Sequence, residues 1–547
     1  MSEVPVDIAD AVGETAAGNG KSPTGRGSIS ALLDAVLVET SETATAAPPS
    51  GGMAAASSDA AAQSAPESVA ADWLDDFLSA KSPLEAISLW LAQRPSRKPP
   101  RSRRELAMAL NRDRAYIDEV LSRQINAILH HPRFQKFEAT WRGLRYLVDQ
   151  ADGVENMQIR VLHVTWREIA RDADLAIEFD QSALFRKVYE AEFGTAGGTP
   201  YTVLIGDYEI RHRLAKDHPV DDIATLRAVA QVAASAFAPF IAGVHPTIFG
   251  MESFEPFERA PNLTRIFDSQ NLEYLPWRTL RHDDDARFVG LAMPRVLMRL
   301  PYEDQPRRDG FIFREDVSKR SNYLWGNAAF AFGGVLIRAF ANCKWFADIR
   351  GVQRGMDEGG IVAGLPVHYF RTDRPGVAPK CSVEVMLTDD QEKELSELGF
   401  IPLCHCQDTE YEVFYANQSI QKPEKYDTVL ATVNARMSAM LQYMLCSSRF
   451  AHYIKVIARD KIGLFSDSKS LQTFLHNWLQ QYVAGGTGIS AEVKAKFPLR
   501  SAKVTVRDHP GKPGHFLTDV HLWPHFQLDE LTASVKLVTE FPAAAVT

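Results

Sequence analysis

The sequence is poor in cysteine and lacks the short motifs of the common nucleotide-binding and hydrolase sites. Its 547 residues include five cysteines: Cys343, Cys381, Cys404, Cys406 and Cys446. Thiols that are so few and odd in number argue against a disulfide framework and suit a reducing compartment. No P-loop, no H-E-x-x-H, no G-x-S-x-G and no G-x-G-x-x-G after a strand is present. We therefore predict no catalytic, cofactor-binding or metal-binding residue from motifs.

Long apolar segments of the kind that enter membranes are also missing. The first residues, "MSEVPVDIADAVGE", are acidic and contain no apolar stretch typical of a signal peptide. Two long uncharged runs, residues 228–251 and 321–337, are interrupted by polar residues or prolines. Because a membrane helix needs about 20 consecutive, predominantly apolar residues, we expect both runs to be buried core segments. The sequence thus favours a cytoplasmic protein without a membrane span.

Aromatic residues are absent from residues 1–70, which are rich in Ala, Ser, Thr, Gly and Pro. Residues 1–90 hold thirteen Asp/Glu and three Lys/Arg, so the net charge of the other 457 residues is about +1. Such a composition predicts an acidic, disordered tail over residues 1–70. A short helix is predicted within it at residues 28–40, "SISALLDAVLVET". Its apolar face consists of Leu32, Leu33, Val36 and Leu37. This pattern favours a docking peptide that folds on a partner, with a fraying helix of no role as the alternative.

Residues 71–150 are predicted to form an N-terminal helical region with a basic linker at residues 94–104. The linker carries six Arg/Lys, and nucleic-acid binding is the less favoured interpretation because three prolines and no aromatics accompany them. In two later helices the apolar residues step by three or four. One set is Ile117, Val120, Leu121, Ile125 and Ile128; the other is Phe134, Phe137, Trp141, Leu144 and Val148. We expect both faces to be packed, with Trp141 buried in the body. His130 and His131 are expected to be exposed at the helix junction.

Strand and helix patterns alternate over residues 151–450, for which we predict a central α/β domain. Examples are "MQIRVLHVTW", "SALFRKVYEAEFG" and "YTVLIGDYEI". Residues 451–547 are predicted to form a C-terminal domain that ends in strands around a turn at residues 510–514. Two apolar strand faces follow: Phe516, Thr518, Val520 and Leu522, then Leu531, Ala533, Val535 and Leu537. A terminal strand with an apolar face needs a sheet to join, and that sheet could belong to another subunit.

Two short clusters could hold metal ions. "CHC", Cys404–Cys406, has the wrong spacing for a structural zinc site and no second pair, so packing on a strand is favoured. "HDDDAR" places Asp283, Asp284 and Asp285 between two arginines, and such carboxylates can bind Mg²⁺ or Ca²⁺. A charged loop entering a helix is the favoured interpretation. The alternative is a cytosolic metal-dependent enzyme with a dispersed acidic site.

Several long motifs occur in the order of one known family. They are "INAILHHPRFQKFEATWRGLRYLVD", "PFIAGVHPTIFGMESF", "RLPYEDQPRRDGFIFRE", "YLWGNAAFAFGGVLIRAF", "GFIPLCHCQDTEYEVFYANQS" and "ARDKIG". Together they resemble the large sheath subunit of the bacterial type VI secretion system, the TssC/VipB family, over roughly residues 105–547. The tail between residues 41 and 68 is longer, and the turn "RDHPGKPGHF" more basic, than expected for this family.

The resemblance implies a contractile tail-sheath-like fold and a structural rather than catalytic function, without cofactors. It implies pairing with a small sheath subunit (TssB/VipA) and helical self-association around an Hcp tube. Baseplate proteins and the ClpV AAA+ unfoldase would be further partners. Leu32, Leu33, Val36 and Leu37 would then be recognised by the unfoldase. Glu492, Lys494 and Lys496 would be tube-facing candidates, and Leu531, Ala533, Val535 and Leu537 would lie on a strand-exchange arm.

Overall fold

A computed structural model of the chain describes most of residues 67–525. The described residues are 67–92, 100, 102–195, 197–259, 262–267, 271–303, 310–352, 358–369, 380–406, 409, 411–460, 468–486, 489–508 and 516–525. They fall into two compact units. One contains the described residues up to His131 and those of Gln305–Phe313; the other contains those of Pro132–Asp304 and Arg314–Thr547. Most of the basic linker and the helix predicted at residues 28–40 lie outside the described residues.

The first unit is helical. Helices α1, Glu67–Ser79, and α2, Pro83–Ala92, form a pair in which Trp73 Nε1 donates to the Leu89 carbonyl at 3.4 Å. Helix α3, Arg103–Leu129, begins where the Ser102 side chain accepts a hydrogen bond from the Glu105 amide. The predicted α3 helix is confirmed, but no α2 or α3 residue is buried. Within the apolar stripe of α3, Ile117 and Leu121 are exposed and Val120, Ile125 and Ile128 are half-buried. The expected packing of this face is therefore found only in part.

The second unit combines helices and strands, and the mixed α/β class is confirmed. Its main helices are α4 Pro132–Ala151, α5 Trp166–Leu175, α6 Asp222–Ala236, α7 Leu275–His282, α8 Ala328–Cys343, α9 Asp389–Glu397, α10 Val429–Ser438, α11 Leu441–Asp460, α12 Ser468–Gln480 and α13 Ala491–Lys496. Its strands are β1 Leu204–Ile210, β2 Phe240–Val244, β3 Val289–Met293, β4 Val296–Leu297, β5 Trp325–Gly326, β6 Ile361–Val362, β7 His368–Tyr369, β8 Lys380–Cys381, β9 Ile401–His405, β10 Glu412–Phe414, β11 Leu499–Asp508 and β12 Phe516–Pro524. The segment Arg186–Gly194 is a π-helix.

A six-stranded sheet with the order β1-β2-β3-β9-β10-β6 organises this unit. The first four strands are parallel, and β10 is antiparallel to both of its neighbours, β9 and β6. Every residue of β2 and β3 is buried, as expected for strands covered on both faces. Neighbouring β2 residues enter different apolar clusters: Ala242 packs with α6 and α7, and Ile241 packs with α4 and α8.

The two long uncharged runs lie inside this core, as predicted. Residues 228–251 contribute the end of α6 and all of β2, and residues 321–337 contribute the start of α8. Twelve residues of α8 are buried. Among the described residues, no helix is long and apolar enough to cross a membrane.

Helix α4 packs on α8 through small residues. It buries Ala139, Gly143, Tyr146 and Leu147. A Cβ at Gly143 would lie 2.3 Å from the Phe330 ring, so glycine is required for this close approach. The expected burial of Trp141 is wrong: Trp141 is 59% exposed and Phe137 is 57% exposed. The helical period identified an apolar stripe, but the face of small residues is the one that packs.

The predicted strand in "MQIRVLHVTW" is also wrong for this chain. Residues 157–164 contain no helix, strand or turn, and the following Thr165 caps α5 in a capping box with Glu168. This segment connects α4 to α5 beside the edge strand β1, since the Tyr208 hydroxyl on β1 donates to the Val164 carbonyl at 2.7 Å.

Strands β11 and β12 form a separate antiparallel ribbon that packs on α12. Val504, Leu475 and Leu479 are buried in this contact. The predicted alternation of β12 is confirmed, because Thr518, Val520 and Leu522 are half-buried while Leu517, Asp519, His521 and Trp523 are exposed. The turn at residues 510–514 and the predicted strand with Leu531, Ala533, Val535 and Leu537 lie outside the described residues.

Candidate assembly surfaces

The outer face of α4 presents an exposed aromatic pair. Phe137 and Trp141 touch edge to face with 6.3 Å between ring centroids, and Val148 continues the stripe. Charged pairs border the stripe: Lys136 Nζ lies 2.9 Å from Asp207 Oδ1, and Arg145 bonds to Asp149. An aromatic centre with a charged rim is the usual anatomy of a protein–protein interface. This α4 face is therefore a candidate assembly surface.

The ribbon of β11 and β12 is a second candidate. In the described part of the chain, β12 pairs with β11 alone, so the other edge of β12 has free backbone donors and acceptors. The face away from α12 exposes Leu517 and Trp523, and the Trp523 ring stacks on His521 at 5.9 Å. An open strand edge beside exposed apolar side chains can accept an added strand.

Helix α13 carries the predicted tube-facing residues. Ser490 caps it by accepting from the Val493 amide, and buried Ala495 anchors its inner side. Glu492 and Lys496 are exposed and form an ion pair of 2.7 Å, whereas Lys494 is half-buried. The helix therefore presents one neutralised pair and a neighbouring positive charge. The unfoldase-recognition residues Leu32, Leu33, Val36 and Leu37 lie outside the described residues.

The acidic cluster is engaged in local ion pairs. Asp283 bonds to Arg227 at 2.8 Å, and Asp284 bonds to Arg287 at 2.6 Å. Partial burial, together with the two adjacent carboxylates, raises the pKa of Asp285. The three residues border an open depression of about 480 Å³. Across the part of the chain that the structure describes, no group of three His, Cys, Asp or Glu is placed to hold a metal ion. The acidic metal-enzyme alternative has no support here.

The "CHC" stretch packs as a strand. Cys404 is buried in the core, and the His405 Nδ1 atom lies 3.1 Å from Glu412 Oε1 on the neighbouring strand β10. Cys406 Sγ lies 3.4 Å from the Tyr415 hydroxyl. The predicted packing function of this stretch is confirmed for Cys404, whose neighbours are apolar.

Sequence reasoning missed a buried ion network behind the α4 face. Arg299 bonds to both carboxylate oxygens of Glu315, at 2.5 and 3.0 Å, and its Nε donates to Glu138 on α4 at 2.9 Å. Arg299 and Glu315 are both buried. The motif "RLPYEDQPRRDGFIFRE" contains both residues, but no local periodicity indicates that they meet.

A second missed network joins β1 to the loop after β3. Arg295 donates two hydrogen bonds to Glu209, at 2.7 and 2.8 Å, and lies 3.7 Å from Glu384. Burial opposes ionisation of Glu209, but the adjacent Arg295 charge lowers its pKa to about 2. Burial instead raises the pKa of Glu384 to about 7, against the attraction of Arg295. The pKa values of Glu209 and Glu384 thus differ because only Glu209 accepts hydrogen bonds from Arg295.

Comparison with known proteins identifies the family. The VipB family model for the EvpB tail sheath N-terminal domain matches residues 111–421, and the model for the EvpB tail sheath gpW/gp25-like domain matches residues 430–541. The chain belongs to the VipB tail sheath family. The two family matches cover most of the chain, so its fold class and its structural, non-enzymatic function are those of a tail sheath protein.

One curated relative is itself a type VI secretion sheath protein. The type VI secretion system sheath protein TssC1 of Pseudomonas aeruginosa PAO1 is 41% identical over 437 residues, covering 79% of this chain and 85% of TssC1. Among solved structures, a chain of the anti-feeding prophage baseplate aligns with 12% identity and a TM-score of 0.34, over 71% of this chain and 83% of that one. A chain of the contracted anti-feeding prophage helical sheath aligns with 14% identity and a TM-score of 0.28, over 59% and 66%.

The exposure of Trp141 leads to a test of the α4 face as a sheath interface. Trp141→Ala should change the unfolding free energy by less than about 0.5 kcal/mol, because the side chain is largely exposed. Leu147→Ala on the buried side of the same helix should cost about 2–5 kcal/mol. Urea unfolding of both variants gives the comparison. The yield of assembled sheath should fall for Trp141→Ala. A loss of several kcal/mol at Trp141 would show that the residue is buried after all.

Proposed function

We propose that this chain is the large subunit of a contractile sheath that works in the cytoplasm. It pairs with a small sheath subunit (TssB/VipA), and the pairs polymerise helically around a tube of Hcp-type rings on a baseplate. Contraction of the sheath then propels the tube. The open edge of the β11–β12 ribbon carries this proposal, because it leaves backbone hydrogen-bonding groups for a strand from another subunit.

The architecture suits contraction as a mechanism. The six-stranded sheet of the second unit is close-packed against two buried clusters, as a body that moves without deforming requires. Strands exchanged at the ribbon would keep neighbours joined while these bodies rotate from one set of contacts to a better-packed set. In this proposal the predicted arm with Leu531, Ala533, Val535 and Leu537 supplies the exchanged strand. Glu492, Lys494 and Lys496 of α13 are the proposed contacts to the tube.

Electron microscopy of the chain co-expressed with the small sheath subunit of its own genome tests the proposed function. Negative staining should show long hollow tubes with a cogwheel-like end view. Compact single particles, with this chain monodisperse on its own, would contradict the sheath assembly proposed here.

The proposed unfoldase segment can be separated from assembly. Leu33→Asp or Val36→Asp should leave tube formation intact and abolish capture of the chain by a ClpV-type unfoldase, because each charge enters the predicted apolar face. Ala31→Asp introduces the same charge on the opposite helical face and serves as the matched control. Pull-down with the unfoldase and tube counts by microscopy provide the measurements. Normal capture of both face variants would refute the assignment of this segment.

A further inference from the structure

Residues 381–387 form a short strap in the second unit, between β8 and α9. Its backbone pairs with the chain just after β3, where the Glu384 amide donates to the Arg295 carbonyl at 2.9 Å. Val383 packs in the apolar cluster with α4 and α8, and Val385 packs in the cluster with α6 and α7. The strap therefore connects the two buried clusters, and Glu384 lies at its middle.

Glu384 is a buried carboxylate without a cation of its own. Its side chain is 6% exposed, and Arg295 Nη1 lies 3.7 Å from its Oε2 atom, beyond hydrogen-bonding distance. Arg295 instead donates two hydrogen bonds to Glu209 on β1, at 2.7 and 2.8 Å. The Glu384 Oε2 atom is shielded from solvent and has no hydrogen-bond partner among the described residues. One guanidinium thus faces two carboxylates and is committed to Glu209.

The other basic side chains near Glu384 do not supply a second cation. Arg320 attracts the Glu384 carboxylate but forms its own ion pair with Glu258 at 2.7 Å. Burial lowers the pKa of His245, which follows β2, to about 4, so this ring is uncharged near pH 7. Each nearby cation is therefore already paired with another carboxylate.

Acidic side chains add to the negative charge around the strap. On the side of β10, Glu412 accepts a hydrogen bond from the Ser382 amide at 2.7 Å and lies 3.1 Å from His405 Nδ1. The exposed Glu255 carboxylate also repels a charge on Glu384. Because an unpaired charge is costly to bury, a bound proton is the simplest way to neutralise Glu384.

We propose that Glu384 is a proton-dependent clamp that holds the strap on the body of the second unit. With a proton bound, the neutral carboxyl occupies its buried position and the strap stays paired with the chain after β3. Without the proton, two buried carboxylates compete for Arg295 and the strap loosens. Burial raises the pKa of the Glu384 carboxyl to about 7, against the attraction of Arg295, so the clamp changes state near neutral pH. This inference concerns the second unit alone and does not depend on the proposed function.

The direction of the pH effect follows from which state of the chain binds the proton. The folded chain holds a proton on Glu384 up to about pH 7, whereas the ordinary pKa of a glutamate is 4.5. The proton therefore stabilises the folded state fully below about pH 4.5, and this contribution is lost as the pH rises through about 7.

Urea unfolding of the full chain at about pH 5.5 and about pH 8 measures this contribution. Glu384→Gln mimics the protonated carboxyl and cannot titrate, so the ratio of the wild-type to the variant folding constant should fall about tenfold or more between the two pH values. Glu255→Gln removes an exposed carboxylate near the strap, and its ratio should change by less than about twofold. A ratio for Glu384→Gln that is independent of pH would overturn the proposal. A Glu384→Gln chain that fails to fold would also overturn it, because the folded state would then require the charge.

Hydrogen exchange of the strap shows whether the effect is local. The amides at positions 382 and 384 donate to Glu412 and to the Arg295 carbonyl. Their protection, relative to an unstructured amide at the same pH, should fall about fivefold or more between about pH 6 and about pH 8 in the wild-type chain. In Glu384→Gln it should be equal at the two pH values. Equal protection in the wild-type chain would overturn the proposal, as would the same fall in both chains, which would assign the effect to another group.

Discussion

Removing residues 531–547 should abolish tube formation while leaving the body of the protein folded. The deletion takes away Leu531, Ala533, Val535 and Leu537, the apolar face of the proposed exchange arm. The buried clusters of the described chain are formed by residues between Ala139 and Val506, all of which the deletion leaves in place. We therefore expect the yield of tubes, counted by negative-stain microscopy and pelleting, to fall from the wild-type level to none.

Substitutions on the two faces of the arm distinguish a loss of strand pairing from an effect of shortening the chain. Thr532 and Ser534 alternate with the apolar residues of the arm, so Thr532→Glu changes the opposite face of the predicted strand. This variant should keep most tubes, whereas Val535→Glu should lose them. Unchanged tubes after the deletion would refute strand exchange through this arm, and the β12 edge would then need another occupant.

Whether a segment forms a helix or a strand could be predicted from the sequence more reliably than the elements against which it packs. The period of three or four residues gave α4 correctly, yet it led to the wrong buried face. Packing on α8 requires small residues such as Ala139 and Gly143, because a Cβ at position 143 would clash with Phe330. Hydrophobic periodicity identifies which face of a helix is apolar, but not which element or chain covers that face. In an assembling protein that face can be reserved for another chain, and an exposed Trp141 is what such a face would present.

The run at residues 157–164 shows the same limit for strands. Its alternation and β-branched residues predicted a strand, but a strand needs a second strand, which no local pattern supplies. For β12 the partner β11 lies nearby in the chain, and the predicted alternation of buried and exposed residues is found. The candidate arm and the unfoldase segment remain predictions, since they lie outside the described residues.

Arg299→Ala should be the most destabilising single substitution proposed here, with a loss of about 3–5 kcal/mol in unfolding free energy. Arg299 forms two hydrogen bonds to Glu315 and one to Glu138. Its removal takes the Arg299 charge away from the Glu315 carboxylate, whose side chain is 1% exposed. Since the unfolding free energy of a typical protein is about 5–15 kcal/mol, we expect this loss to lower the urea midpoint by a large amount.

Arg213→Ala is the matched control, because Arg213 pairs with Glu273 at the surface and such pairs contribute about 0–1 kcal/mol. Equal urea midpoints for the two variants would contradict a structural function for the buried network. The network also reaches α4 through Glu138, the residue that follows Phe137. Arg299→Ala should therefore reduce both stability and tube yield, whereas Trp141→Ala should reduce tube yield alone. This difference would distinguish the buried residues that stabilise the α4 face from the exposed residues that make its contacts.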